Sequence, residues 1–215
     1  MFTLYYSPAA CSLAVHIALE EAGIPHHLER RSTREGETRR QEYLAVNPLG
    51  QVPALRLPDG RVLTEVAALL GYIADQVPDR ALLPTAPLER AVAQGWMSLF
   101  ATSVHGAFRN VVRPELCASE ASACKDVVET SRARYFSLLR YVESRLVPRA
   151  WLLGERHSLC DGYAFCFFLW GQVFEWPVHE LPRYRALARR VRERDATERA
   201  LVAEGFVGQR RLAIA

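Results

Sequence analysis

The sequence predicts a small α/β domain followed by a larger domain that is helical throughout. Strand and helix signals alternate over residues 1–79, and strand signals disappear after a segment with three prolines, residues 78–87. Such alternation is typical of strands joined by crossover helices, whereas an uninterrupted series of helical patterns is typical of a helical bundle. We therefore expect domains at residues 1–79 and 88–215, joined by a linker at residues 80–87.

The elements of the first domain follow from periodicity and turn chemistry. Residues 2–6 (FTLYY) are rich in β-forming side chains, and apolar residues at helical spacing over residues 12–22 predict a helix that ends at Gly23. The other predicted elements are a strand over residues 26–30, a short helix over residues 39–46, a hairpin of residues 53–57 and 61–64 around the turn PDG, and a helix over residues 65–77. The predicted order is β-α-β-α-β-β-α.

The second domain shows four helical segments and one clear helix start. The segments span residues 88–112, about 120–147, 158–175 and 182–204. Ser158 and Asp161 fit an S-x-x-D capping box, in which each side chain bonds the backbone of the other residue. The run that follows, GYAFCFFLWGQVF, is apolar nearly all round, so we expect this helix to form the buried centre of the domain.

The composition disfavours several classes of protein. Half of the residues are hydrophobic, enough for a substantial core, yet no apolar run is long enough to span a membrane. The formal net charge is only +3, and the arginine clusters near residues 30–40 and 183–199 are mixed with acidic residues, so no nucleic-acid partner is expected. Five cysteines without framework spacing, and a first segment that reads as a strand rather than a secretory signal, predict a cytoplasmic protein.

Cys11 stands at the predicted start of the first helix. A cysteine in this place is a nucleophile, half of a redox pair, a metal ligand or a small buried residue. The redox pair is disfavoured, because the sequence continues Ser12-Leu13-Ala14 without the second cysteine of a C-x-x-C motif. Partial positive charge at a helix N-terminus favours the thiolate, so we expect the pKa of Cys11 to lie below the free value of about 8.5.

Four segments, running from residue 5 to about residue 168, match a known family in order and spacing. They read YYSPAACSLAVHIALEEAG, YLAVNPLGQVPALRLPDGRVLTE, YIADQVP and WLLGERHSLCDGYAF. With these segments the chain resembles the cytosolic glutathione S-transferases and is most similar to their bacterial beta class. The resemblance implies a thioredoxin-like N-terminal domain, an all-α helical-bundle domain and a homodimer. It also implies glutathione as co-substrate, bound at the domain boundary, and a role in detoxification.

The resemblance implies how glutathione is bound. It implies a cis Val52–Pro53 bond, beside which the Val52 backbone pairs with the cysteinyl unit of glutathione as an added strand does. Glu65 matches the position that binds the γ-glutamyl amine, whereas Val66 replaces a serine whose hydroxyl holds the carboxylate. A hydrogen bond to a charged group contributes about 1.5–3 kcal/mol, so its loss weakens binding by about tenfold or more. The implied glutathione-binding residues are Ala10, Cys11, Arg34, Gln51, Val52, Pro53, Glu65, Val66 and Thr102.

The resemblance also implies the catalytic groups. Cys11 meets the sulfur of bound glutathione. His105 matches the beta-class histidine beside that sulfur, where an imidazole donates to the thiolate or serves as acid and base. Ser12 and Tyr6 are further hydroxyl candidates. Because neighbours on a strand point to opposite faces, at most one of Tyr5 and Tyr6 faces the site.

Apolar side chains on the helices provide the candidates for a co-substrate pocket, namely Phe108, Val112 and Trp170. No metal site is expected. His26 and His27 are neighbours on a strand and point apart, and the cysteines lack the short spacings of zinc ligands.

The expected function is conjugation of the glutathione thiolate to small hydrophobic electrophiles. Two alternatives stay open at this point. A thiol transferase would work through a Cys11–glutathione mixed disulfide, so Cys11→Ala would abolish thiol exchange. In a conjugating enzyme, Cys11→Ala would leave substantial turnover. A non-catalytic relative would bind ligands or partners, and Val66 is the sequence feature that supports it.

Overall fold

The structure, a computed structural model, describes residues 1–146 and 150–206 of the 215-residue chain. Its strands and helices, in chain order, are β1 (Phe2–Tyr6), α1 (Ser12–Ala22), β2 (His26–Arg30), α2 (Gln41–Leu44), β3 (Ala54–Arg56), β4 (Val62–Thr64), α3 (Val66–Gln76), α4 (Pro87–Leu99), α5 (His105–Val112), α6 (Ala121–Arg145), α7 (Leu159–Val173), α8 (Pro182–Arg192) and α9 (Asp195–Ala203). A π-helical turn, Phe100–Val104, joins α4 to α5. The predicted helical domain extends to residue 215, so residues 147–149 and 207–215 of it lie outside the described part.

The four strands form one mixed sheet in the order β2-β1-β3-β4. β1 runs parallel to β2, so α1 is a crossover helix, whereas the β1–β3 and β3–β4 pairs are antiparallel. Leu4, at the centre of β1, lies opposite Leu28 on one side and Leu55 on the other. This element order, followed only by helices in the described residues, confirms the predicted fold class.

Alternation along β1 sends its two tyrosines to opposite faces of the sheet. Tyr6 packs in the main core with residues of α1 and α3, whereas Tyr5 packs against Tyr43 of α2 and Ala54 of β3. The helical domain packs on the first of these faces, since α7 and α9 both contact α1. The start of α1 is therefore held between the sheet and the helical domain.

Helix α7 is the centre of the helical domain. Every residue from Leu159 to Gly171 is buried, as the all-round apolar pattern predicts. Ser158 and Asp161 form the predicted capping box: Asp161 Oδ2 accepts from the Ser158 N–H at 2.8 Å and from its hydroxyl at 2.9 Å. Asp161 Oδ1 accepts from the Leu152 N–H at 2.8 Å, so one carboxylate fixes both the helix start and the preceding loop.

Two predicted helices are interrupted. The prediction of one helix over residues 182–204 is wrong, because Arg194 takes an extended conformation between α8 and α9. The prediction over residues 88–112 misses the π-helical turn. At this turn the Thr102 hydroxyl donates to the Ser98 carbonyl at 2.8 Å, and such side-chain bonds compete with the regular helical ladder.

The domain boundaries at residues 1–79, 80–87 and 88–215 stay a prediction. Helices α3 and α4 are separated by residues 77–86, which include a 3-10 turn at Pro78–Arg80. Across residues 1–146 and 150–206, no helix is both long enough and apolar enough to cross a membrane.

Candidate active site

The loop that follows β1 brings Cys11 to the position just before α1. Within this loop the Ala10 N–H donates to the Ser7 carbonyl at 3.0 Å. The buried Ser12 hydroxyl donates to the same carbonyl at 3.1 Å and accepts from the Ser7 N–H at 3.3 Å. The hydroxyl predicted to be catalytic is thus engaged in closing the loop, where it positions Cys11.

The Cys11 thiol lies against the loop that leads into β3. Its Sγ donates to the Val52 carbonyl at 3.7 Å, and the Val52–Pro53 peptide bond is cis. The preceding carbonyl, of Gln51, accepts from the buried Tyr43 hydroxyl at 2.6 Å, which fixes this loop against α2. Within the described residues the Val52 N–H donates to no protein group, so it remains available to a ligand.

The expectation of a lowered Cys11 pKa is wrong. Burial raises the pKa of this thiol to about 12, although backbone N–H groups at the helix start lower it in part. The helix dipole contributes only about 0.3–1 kcal/mol at exposed sites, which burial of a charge readily exceeds. Cys11 is therefore a neutral thiol at pH 7, able to donate through its S–H.

The start of α3 forms the third part of the site. Val66 is its first residue and is buried, while the preceding Glu65 is exposed and has a φ of 67°. Non-glycine residues rarely adopt such a φ, and residues that do are concentrated at ligand sites. In the described part of the chain no side chain caps α3, so the backbone N–H groups of its first turn can receive an anion.

His105 opens α5 directly after the π-helical turn and is half-buried. Its ring lies 5.2 Å from Trp170, edge to face, and 6.2 Å from Phe167. Burial, and to a lesser extent Arg109, lower the pKa of His105 to about 4, so the imidazole is neutral at pH 7. Thr102, one of the implied glutathione-binding residues, is exposed and bonds its hydroxyl to the preceding turn of α4.

Two of the three predicted co-substrate residues are core residues. Phe108 and Trp170 are 5% and 3% exposed, and their rings stack with centroids 4.2 Å apart. Val112, one turn further along α5, is partly exposed. The aromatic pair therefore supports the site through packing, and Val112 is the pocket candidate that keeps an accessible surface.

Tyr6 is buried, whereas Arg34 is exposed. Tyr6 is buried in the main core, where burial and then Glu204 raise the pKa of its hydroxyl. A phenol held neutral in the core is poorly suited to the catalytic role predicted for it. Arg34 is exposed on the loop after β2 and, within the described residues, makes no hydrogen bond or ion pair, so it remains free for a carboxylate.

The structure adds residues that the sequence does not indicate. Ala9, two residues before Cys11, has a φ of 61°. For a non-glycine residue this conformation destabilises the backbone by about 1 kcal/mol or more. Two distant side chains hold it: Trp170 Nε1 donates to its carbonyl at 2.7 Å, and Glu204 Oε2 accepts from its N–H at 3.3 Å. No short-range pattern marks these contacts, because only the completed fold brings the partners together.

Fold and site together define a class of protein. A cysteine at the start of the first helix lies beside a cis-proline in a four-stranded mixed sheet, and helices of a second domain pack on that same helix. This combination is a thioredoxin-like domain with a thiol at its ligand site, extended by an all-helical domain.

Comparisons with known proteins give the family. Residues 9–76 match the glutathione S-transferase N-terminal domain, and residues 99–195 match the glutathione S-transferase C-terminal domain. Glutathione S-transferase GstA of Escherichia coli O157:H7 is 36% identical over 209 residues, which cover 94% of this chain and 98% of that protein. The chain belongs to the glutathione S-transferase family, which confirms the resemblance seen in its sequence.

Solved structures agree with this assignment. A glutathione transferase homologue from Sulfitobacter, solved with bound glutathione, matches at a TM-score of 0.90 and 32% identity over 96% of this chain and 99% of that chain. A bacterial beta class glutathione S-transferase from Sphingomonas chungbukensis matches at a TM-score of 0.84 and 34% identity over 95% and 100%. The likeness thus spans both domains.

Proposed function

We propose that this glutathione transferase conjugates the thiolate of glutathione to small hydrophobic electrophiles. The observation that carries the proposal is the contact of Cys11 with Val52, because it brings a thiol donor and an open backbone edge together. Similar proteins solved with glutathione, including the Sulfitobacter homologue and a sphingomonad enzyme, support glutathione as the ligand.

Each part of glutathione has a partner of suitable chemistry. The Val52 backbone pairs with the cysteinyl unit, as an added strand would. The uncapped start of α3 receives the γ-glutamyl carboxylate, and the exposed Glu65 carboxylate receives the amine. Arg34, exposed and cationic, takes the glycyl carboxylate. Val66 contributes only its N–H, so we expect weaker binding than a serine at that position would give.

Catalysis depends on stabilising the thiolate of the bound tripeptide. That sulfur would lie outside the core, where the dipole of α1 lowers its pKa without the burial that raises the pKa of Cys11. The Cys11 S–H and the neutral His105 imidazole supply hydrogen bonds to the thiolate. Fixing the thiolate beside an electrophile that packs near Val112 then supplies proximity.

The raised pKa of Cys11 favours conjugation over thiol transfer. The thiolate is the form of cysteine that attacks a disulfide, and a thiol with a pKa of about 12 is almost entirely protonated at pH 7. A mixed disulfide with glutathione would also need the thiolate of Cys11. Cys11 is therefore proposed as a hydrogen-bond donor rather than as the nucleophile.

Titration and turnover of a Cys11→Ala variant test this assignment. Calorimetric titration of reduced glutathione into the wild type is expected to show one saturable site per chain. With 1-chloro-2,4-dinitrobenzene as electrophile, Cys11→Ala is expected to keep conjugation with kcat/KM lowered about tenfold, because one donor to the thiolate is lost.

Cys117→Ala is the matched control, since Cys117 is an exposed cysteine after α5, and it is expected to behave as the wild type. If calorimetry detects no binding heat at millimolar glutathione, the transferase proposal is wrong. Loss of all conjugation in Cys11→Ala, with thiol exchange also lost, would favour the thiol transferase instead.

We propose that two copies of the chain pair through α3 and α4. Leu88 and Val92, one turn apart on α4, are 74% and 47% exposed. A groove of about 420 Å³ also lies between α3 and α4, lined by residues such as Gly71 and Tyr72. Exposed apolar side chains are typical of an interface between subunits.

Light scattering coupled to size exclusion tests the dimer. The wild type is expected to elute with twice the mass of one chain, and the double variant Leu88→Glu/Val92→Glu as a monomer. Val202→Glu, on an exposed apolar residue of α9, is the control that should stay dimeric. A dimer that survives the double substitution would place the interface elsewhere.

The proposed setting is the cytoplasm, and the proposed role is detoxification. All five cysteines are free in the structure, including the exposed Cys117, which suits a reducing compartment. Conjugation to glutathione there would convert reactive electrophiles into water-soluble products.

A further inference from the structure

Three potential metal ligands meet on the side of α1 that faces β2. One ring nitrogen of His16, one of His26 and a carboxylate oxygen of Glu20 all lie within 4.8 Å of one another. His16 and Glu20 are four residues apart on one face of α1, and His26 is the first residue of β2. The side chains are 1%, 21% and 8% exposed for His16, Glu20 and His26, so the cluster is largely buried and opens beside Glu20.

Each histidine is already oriented as a metal-bound histidine would be. His16 Nδ1 lies 2.9 Å from Glu204 Oε1, and His26 Nδ1 lies 2.8 Å from the Ile24 carbonyl. Because a carboxylate and a carbonyl accept, both Nδ1 atoms carry the proton, which leaves a lone pair on each Nε2. Metal-binding histidines characteristically donate their other N–H to such groups.

Within the described residues the Nε2 atom of His16 has no partner that would account for its burial. It is buried and makes no hydrogen bond there. Such an orphaned acceptor is rare in a folded protein, because it loses its bonds to water without replacement. A cation coordinated by this lone pair would satisfy it.

The charges around the cluster leave one oxygen of Glu20 free for a metal. Arg199 of α9 donates to Glu20 Oε2 at 2.5 Å and thereby holds the carboxylate in place. The other oxygen, Oε1, lies 3.8 Å from His26 Nε2, longer than a hydrogen bond. Buried Glu204 adds a second carboxyl group on the other side of His16.

We propose that His16, Glu20 and His26 form a binding site for a divalent transition metal, Zn²⁺ in the first place. Two imidazoles and one carboxylate are a ligand set that Zn²⁺ accepts, with water as a fourth ligand. Tetrahedral bonds of about 2.0–2.1 Å place ligand atoms roughly 3.3 Å apart, so the three atoms must approach by at most about 1.5 Å. Glu20, at the partly exposed end of α1, has the freedom to move.

Metal at this site would tie three elements together. It would join the last turn of α1 to the first residue of β2, and through Glu204 it would reach the residue that follows α9. Glu204 also accepts from the Ala9 N–H, in the loop that carries Cys11. The site is therefore structural in character and independent of the proposed conjugation.

Titration of ZnCl2 and CoCl2 into metal-free protein tests the proposal. One equivalent of Zn²⁺ is expected to bind and to raise the thermal midpoint of unfolding. In Glu20→Gln, which keeps the shape of the side chain, and in His26→Gln, the affinity is expected to fall about 100-fold or more, as loss of a ligand requires. Circular dichroism without metal shows whether each variant is folded.

His27→Gln is the matched control, because His27 is the exposed neighbour of His26 and belongs to no cluster of potential metal ligands among the described residues. It is expected to bind Zn²⁺ as the wild type does. Co²⁺ is expected to give visible bands of a nitrogen and oxygen site without a thiolate charge-transfer band. Equal affinity in all variants, no binding, or a thiolate band that points to the free cysteines would each overturn the proposal.

Discussion

Replacing Asp161 with alanine is expected to lower the free energy of unfolding by about 3 kcal/mol or more. The carboxylate is buried and accepts from three donors, the N–H groups of Leu152 and Ser158 and the Ser158 hydroxyl. A buried donor without a partner costs about 1–3 kcal/mol, and here the loss falls at the start of the most buried helix. Urea unfolding followed by circular dichroism measures the change.

Asp195→Ala is the matched control for this prediction. Asp195 is also an aspartate in the first turn of a helix, but it is exposed on α9. Its loss removes a favourable interaction with the helix dipole, which amounts to about 0.3–1 kcal/mol. Equal and small effects of the two substitutions would show that the capping box does not stabilise the core.

Asp161→Asn separates the charge of this residue from its shape. Burial raises the pKa of Asp161 to about 6, above the value of about 3.9 for an unfolded chain. The folded state then binds the proton more tightly, so the stabilisation is present below about pH 4 and is lost as the pH rises through about 6. In Asp161→Asn the free energy of unfolding is expected to change less with pH between about 4 and 6. If its dependence on pH stays as in the wild type, other groups cause that dependence.

Local patterns are sufficient to predict most of the fold. The residues of β1, α1 and β2 are those that alternation, helical spacing and the Gly23 stop indicate. The capping box at Ser158 could be found because it needs only residues three apart and an apolar run after them. The break at Arg194 could not be predicted, because the helical spacing of apolar residues continues across it. Only the backbone conformation of Arg194 changes there.

The site is less visible in the sequence than the fold. The position of Cys11 follows from local pattern, but its pKa depends on burial by the second domain, which no local signal reports. From the sequence no metal site is expected, because His26 and His27 point apart, as neighbours on a strand do, and a grouping of His26 with His16 and Glu20 is not visible there. The actual partner of His26 lies on α1, and only the crossover connection brings the two elements together.

Replacing Trp170 with alanine is expected to lower the free energy of unfolding by about 3–5 kcal/mol, because the cavity left by a buried indole is large. Trp170 is 3% exposed, stacks on Phe108 at 4.2 Å and meets His105 at 5.2 Å. Trp170→Phe keeps an aromatic ring but removes the donor to the buried Ala9 carbonyl, at a cost of about 1–3 kcal/mol. Thermal and urea unfolding measure both losses.

The phenylalanine variant also separates packing from positioning. Among the described residues, two side-chain contacts hold Ala9 at its positive φ, so losing one lets the loop before Cys11 relax. We therefore expect Trp170→Phe to weaken glutathione binding several-fold. The loss of folding stability alone does not explain this loss of affinity. Trp176→Phe is the matched control, since within the described residues the indole N–H of Trp176 donates no hydrogen bond although its ring belongs to the same aromatic cluster. If both variants bind glutathione as the wild type does, Trp170 acts through packing alone, and the conformation of Ala9 is maintained by Glu204.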